Sequence, residues 1–173
     1  AKNYSFNLPQ PKESVPGVPS TPTEKTVLDL GGFHKKVLVT GGTGFLGSNL
    51  VEALIRCGAD VTLLVRDVKS VSSNLAQKVR LIQGDVRDQV SIRNAVKDIQ
   101  VVYHCAAVTV NSGKWSEHEA INIQGTRSIL EVAEESGVEK VIVVSSVAVY
   151  GVDKVPGGRD ALETSSLDKN PNH

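Results

Sequence analysis

Five short runs of apolar, largely β-branched residues constrain this chain more than any other feature: Lys36 to Thr40, Val61 to Val65, Val79 to Gln83, Val101 to His104 and Val141 to Ser145. A strand with one face in water alternates apolar and polar side chains, whereas a continuous apolar run suits a strand covered on both faces. The intervals between the runs are spaced for helices. Leu46, Leu50, Leu54 and Cys57 recur at steps of four, four and three and line one side of a helix that Gly58 ends. Ile92, Val96 and Ile99 do likewise behind Asp88, a candidate N-cap. A third helix is expected from Ser116 to Ser136. It opens with Ser116 and Glu119 in capping-box spacing, runs through the Ile121, Gly125, Ile129 and Val132 face, and stops at Gly137. Strand and helix in alternation predict an α/β fold, a parallel sheet with right-handed crossovers.

The first run leads straight into Gly41-Gly42-Thr43-Gly44-Phe45-Leu46-Gly47 and then into the first helix. Glycines in such a turn reach backbone conformations closed to other residues. They also let a pyrophosphate approach the helix N-terminus, where unpaired N–H groups and the helix dipole favour anions. Gly47, one turn into the helix, allows helix and strand to pack closely. The spacing is Gly41, Gly44, Gly47, a G-x-x-G-x-x-G pattern in place of the commoner G-x-G-x-x-G. Its setting, after the first strand of a strand–helix series, points to a dinucleotide site.

Charges balance, 19 Lys plus Arg against 19 Asp plus Glu, which removes the basic footprint of a general nucleic-acid or anionic-membrane binder. No apolar run approaches the roughly 18 residues that a spanning helix needs. Cys57 and Cys105 stand far apart within expected elements and make neither a disulfide framework nor a zinc cluster, so no metal site is expected. A reducing compartment, the cytoplasm, is the corresponding expectation. Residues 1–34 carry Pro9, Pro11, Pro16, Pro19 and Pro22 with little apolar periodicity, the composition of a linker or disordered tail ahead of a domain over residues 35–173. Asn3-Tyr4-Ser5 fits a glycosylation triplet of the kind that arises by chance. The sequence has no methionine, even at position 1, so we expect a piece of a longer chain.

Thr40-Gly-Gly-Thr-Gly-Phe-Leu-Gly47 resembles the signature of the extended short-chain dehydrogenase/reductase family, which includes NAD-dependent epimerases and dehydratases, and four later segments match in the right order. The resemblance implies that Asp85-Val86, after the third strand, sets a carboxylate and a backbone amide beside the adenine. His104-Cys105-Ala106-Ala107 is similar to the small-residue segment on which the cofactor rests. Asn122, in Asn-Ile-Gln-Gly-Thr, resembles the family's structural and relay asparagine. Ser145-Ser146-Val-Ala-Val-Tyr150-Gly151 resembles the segment bearing the catalytic serine, which by position is Ser146. Spanning residues 35 to about 151, the match implies a Rossmann-type doubly wound sheet, here about five strands of it with the C-terminal part absent. It also implies cofactor contacts from Gly41, Thr43, Gly44, Phe45, Leu46 and Gly47, joined by Cys105, Ala106, Ala107 and Asn122 from the later segments. The implied chemistry is hydride transfer at a hydroxyl- or keto-bearing carbon of a small molecule, either a nucleotide-sugar or a sterol- or flavonoid-like ketone or alcohol.

A preference for unphosphorylated ribose comes from an acidic residue about 20 positions beyond the glycines, at the end of the second strand. Here that place reads Val65-Arg66-Asp67, and Arg66 is positioned to clamp a 2′-phosphate, so NADP is favoured over NAD. A shift of one residue would instead put Asp67 on the ribose. The family's proton donor is a tyrosine whose pKa is lowered by a lysine four places on, since a phenol with a pKa near 10 is a poor base at neutral pH. Tyr150 and Lys154 have that spacing, but they lie too near Ser146 and begin at a strand end instead of on the next helix. The pair is therefore expected beyond Asn172-His173, and the 173 residues alone are expected not to turn over.

Other residues keep plainer readings. Asp85 is either a turn former or a site residue, and its place at a strand's carboxyl end supports the site. His104 reads as packed or backbone-bonded, Cys105 as a small buried filler, and Trp115 as a cover for a helix end or a flank of the cleft. Apolar Ile123, Leu130 and Ala133 give the third helix a second face, from which a homodimer is expected. The whole protein is read as an enzyme, with a non-catalytic dinucleotide sensor or scaffold as the alternative.

Overall fold

The computed structural model of the protein describes residues 32–109, 114–146 and 149. The proline-rich segment up to residue 31, the Asn3 triplet, Tyr150, Lys154 and the residues up to His173 lie outside the described residues. The elements run in strict alternation: β1 (Lys36–Thr40), α1 (Phe45–Arg56), β2 (Asp60–Val65), a 3₁₀ turn (Val68–Ser70), α2 (Ser73–Ala76), β3 (Arg80–Gln83), α3 (Gln89–Ala95) and β4 (Val101–His104). A single helical run then follows, made of α4 (Trp115–His118), a π-helical stretch (Glu119–Gly125) and α5 (Thr126–Glu135), before β5 (Lys140–Val143). All pairings are parallel and the strand order is β3-β2-β1-β4-β5, the Rossmann-type arrangement. No described helix is long and apolar enough to cross a membrane.

Both faces of the sheet are covered, as the unbroken apolar runs require. On one face Leu38, Leu64 and Val102 pack with Ile92, Ala95 and Val96 of the α3 region and with Ile129 and Val132 of α5. On the other, Val37, Val39, Val61, Leu63 and Val65 pack with Val51 and Leu54 of α1. Phe33 joins this second cluster, and its N–H donates to the Cys57 carbonyl at 2.8 Å.

Several boundaries differ from the sequence expectation, each for a local reason. β5 ends at Val143 instead of Ser145, because its partner β4 ends at His104 opposite Val143. Asp88 caps α3 by accepting from Val90 N and Ser91 N, but the helix stops at Ala95. Asp98 turns the chain with φ of 62°, and Ile99 is buried from a loop. The Ser116–Glu119 capping box does not form: the run starts one residue earlier, at Trp115, with Lys114 as N-cap and no side-chain cap. Ala133 does not belong to an outward face, being 1% exposed, whereas Ile123 and Leu130 are 45% and 44% exposed.

The two sides of this helical run differ in what they contribute. Ile129→Ala is expected to lower stability by about 3 kcal/mol and Ile123→Ala by less than about 1 kcal/mol in urea unfolding, because only the first opens a cavity.

Candidate functional site

The carboxyl ends of four adjacent strands converge where the chain order reverses, between β1 and β4, which is where open α/β sheets bind ligands. A cleft of about 240 Å³ lies there. The glycine turn supplies Gly41, Thr43 and Gly44, β2 ends on Val65 and Arg66, β3 leads into Gly84, Asp85 and Val86, and β4 leads into the segment Cys105–Val108.

Steric fit explains the glycines. Gly41 has φ of +70°, and a Cβ on it would stand 2.6 Å from Ala106 N and from the Cys105 carbonyl carbon. The turn therefore lies directly on the Cys105–Ala106 peptide. A Cβ on Gly47 would stand 2.1 Å from the Gly41 oxygen, so α1 can press onto the turn only at a glycine. Gly44 is the N-cap of α1, with no side-chain cap and no acidic residue in the first turn. The first turn of this helix thus brings no carboxylate of its own to its positive end.

At the adenosine end expected from the sequence, Asp85 has a partner that the sequence reading missed. Arg87 Nε and Nη2 donate to its two carboxylate oxygens at 2.9 and 2.7 Å, and the Arg87 N–H donates to Oδ1 at 2.9 Å. The Arg87 guanidinium beside Asp85 holds its carboxyl below the ordinary carboxylate range against the opposing effect of burial, and the charge of Arg66 acts in the same sense as Arg87. Ser91, also missed, fixes the turn: its hydroxyl accepts from Asp85 N at 3.1 Å and lies 3.0 Å from the Asp85 carbonyl. A carboxylate two residues before an arginine, and a serine three residues after an Asp N-cap, were the available signals.

Val65 pairs with Gln83 at the end of β2, which puts Arg66 at the cleft. Asp67 is committed elsewhere, its Oδ1 accepting from Lys69 N at 2.9 Å to cap the 3₁₀ turn. Of the two candidate ribose residues, Arg66 is the one that lines the cleft.

Phe45, Leu46, Gly47 and Asn122 do not line the cleft. Phe45 and Leu46 are 91% and 51% exposed in the first turn of α1. Asn122 instead latches the loop after β4, its Oδ1 accepting from Val108 N at 2.8 Å and its Nδ2 donating to Val108 O at 2.9 Å, while its neighbour Ile121 reaches the cleft. Ser146 lies exposed beyond β5, outside the lining. Trp115 is 56% exposed at the start of α4. Cys105 lines the cleft, and burial pushes its thiol up, which keeps it a neutral wall. His104 is buried, bonded to the side chains of Thr40 and Thr126 instead of to backbone. Burial pushes its imidazole down from the ordinary value.

Residues 37–173 match the model of the NAD dependent epimerase/dehydratase family. The chain belongs to that family. Among its relatives, the chain is 38% identical to sterol demethylase protein B of Methylococcus capsulatus, over 67% of this chain and 36% of that protein. It is 35% identical to the decarboxylating sterol-4-alpha-carboxylate 3-dehydrogenase of Mus musculus, over 73% of this chain and 34% of that protein. The chain thus spans about a third of the length of these curated relatives. Among solved structures, UDP-glucose 4-epimerase of Thermus thermophilus in complex with NAD is similar at a TM-score of 0.66 and 31% identity, over 77% of this chain and 44% of that one.

The Asp85–Arg87 pair predicts an acid-side effect. A carboxyl whose folded pKa is depressed adds stability that is complete above its ordinary value near 3.8 and drains away as pH falls through the folded value. In thermal unfolding Asp85→Asn is expected to be less stable than the parent at pH 6, the difference shrinking as pH falls through the depressed folded value.

Proposed function

We propose that this chain forms the dinucleotide-holding part of an NAD(P)-dependent oxidoreductase, epimerase or dehydratase that acts by hydride transfer at a hydroxyl- or keto-bearing carbon. One observation carries the reading: the uncapped N-terminus of α1, the glycine turn, Arg66, Asp85–Val86 and Cys105–Val108 open onto one cleft. The cradle fits a dinucleotide, since the space at Gly41 and Gly47 that a Cβ would fill lets backbone and helix approach without a side chain between them. Gly41, Thr43 and Gly44 would hold the pyrophosphate, Asp85 and Val86 the adenosine, and Cys105, Ala106 and Ala107 the opposite half. When bound, the nicotinamide supplies or accepts the hydride. Ser146 would orient the oxygen of the substrate.

NADP is favoured over NAD. Arg66 is exposed at the end of β2, beside the cleft, and forms no ion pair among the described residues, whereas Arg87 is already neutralised by Asp85. A guanidinium outside any ion pair suits a 2′-phosphate. The related solved epimerase was crystallised with NAD, so the preference rests on Arg66 alone.

On this reading residues 1–173 alone do not turn over, and the substrate is a sterol-like or nucleotide-sugar alcohol or ketone. The exposed Ile123 and Leu130 support a homodimer of the whole protein.

Calorimetric titration with NADPH and NADH tests the proposal. NADPH is expected to bind at least about ten-fold more tightly, and Arg66→Ala to erase that difference while changing NADH affinity less than about two-fold. Equal binding would move the preference to NAD, and no binding of either would leave a scaffold of the same fold.

A further inference from the structure

His104 is the largest polar side chain of the core, 2% exposed, and nothing in the proposed chemistry uses it. Its ring bridges three elements. Nδ1 lies 2.7 Å from Thr40 Oγ1 at the end of β1, and Nε2 lies 2.9 Å from Thr126 Oγ1 at the start of α5. The Thr40 hydroxyl meanwhile accepts from Ala106 N at 3.3 Å, in the peptide on which Gly41 rests.

The inventory of donors fixes the direction of this chain. Ala106 N can only donate, so Thr40 Oγ1 accepts from it. Thr40 is 0% exposed, and its own proton needs an acceptor, which His104 Nδ1 provides at 2.7 Å. An unprotonated Nδ1 puts the proton of the neutral ring on Nε2, where Thr126 Oγ1 accepts it. Every link is then satisfied in one sense: Ala106 N–H to Thr40, Thr40 O–H to His104, and His104 Nε2–H to Thr126. A ring with its proton on Nδ1 would leave the buried Thr40 proton without this acceptor.

We propose that His104 is a positioning residue, a neutral Nε2–H imidazole that ties α5 through Thr126 to Thr40 and so sets the Cys105–Ala107 floor against the glycine turn for dinucleotide binding. The proposal rests on the dinucleotide reading above. The floor and the turn approach so closely at Gly41 that a small displacement of the Ala106 peptide changes the cleft from one wall. The restraint comes from the helix whose preceding π-helical stretch also holds Val108 through Asn122, so the segment after β4 is tied to one helical run at two depths.

Two measurements without dinucleotide and one with it test the proposal. Nitrogen NMR spectra of the isotopically labelled protein, with the His104 signals identified by their loss in His104→Phe, are expected to show an unprotonated Nδ1 and a protonated Nε2; the opposite tautomer overturns the relay. Thr126→Val keeps shape and removes the acceptor, whereas Thr126→Ser keeps the hydroxyl. In Thr126→Val, hydrogen exchange at Ala106 N is expected to quicken about five-fold and NADPH or NADH binding to weaken about five-fold, with Thr126→Ser within about two-fold of the parent in both. A Thr126→Val protein that loses thermal stability but keeps both values within about two-fold is merely structural there, and the proposal fails. Absence of dinucleotide binding by the unsubstituted protein overturns the functional reading and the positioning role with it, a result distinct from failure of the tautomer or exchange tests.

Discussion

The site depends on one steric contact, the seating of the Gly41 backbone on the Cys105–Ala106 peptide. Parallel pairing of β1 with β4 brings Thr40 opposite His104, so the chain leaving each strand must cross the other at close range. A left-handed glycine makes that crossing possible, and Gly47, in helical backbone, permits a second close approach one layer out by lacking a Cβ, where α1 meets the turn. A cleft wall made of backbone follows from these two contacts. Side chains flank it, Arg66, Asp85 and Val86 on one side and Cys105 to Val108 with Ile121 on the other.

What the sequence made legible was whatever depends on local pattern. The continuous apolar runs located all five strands to within two residues at either end, because burial on both faces leaves no polar alternation to blur them. Gly58 and Gly137 ended their helices with φ of +85° and +70°, and Asp88 capped α3 with its carboxylate. The 3₁₀ turn and α2 escaped notice: they span three and four residues, too short for the Val68, Val71 and Leu75 spacing to stand out among their polar neighbours.

Relations across space were less legible. Asp85 read as a lone carboxylate, yet its geometry is set by Arg87, and only coordinates reveal whether such a neighbour turns toward it or toward solvent. Asn122 was expected both as a structural and relay residue and as a cofactor contact, and the structural part is what the fold displays. Its amide is spent on both backbone groups of Val108, which makes it a support of the wall and leaves the wall itself to Ile121. The Ser116–Glu119 spacing was a genuine local signal defeated by context, since the helix begins at Trp115 and both residues fall inside it.

The π-helical stretch from Glu119 to Gly125 carries a consequence for how this helical run can vary. Each residue of an α-helix advances the side chains by about 100°, so one residue accommodated in a widened turn shifts the phase of everything after it. Asn122 can therefore face the Val108 loop while Ile129 and Val132 still face the sheet. The two duties are reconciled by phase, not by composition. Removing a single residue such as Ala120 from this stretch would keep both Asn122 and the core residues in the chain and yet force the run to choose between its latch and its core.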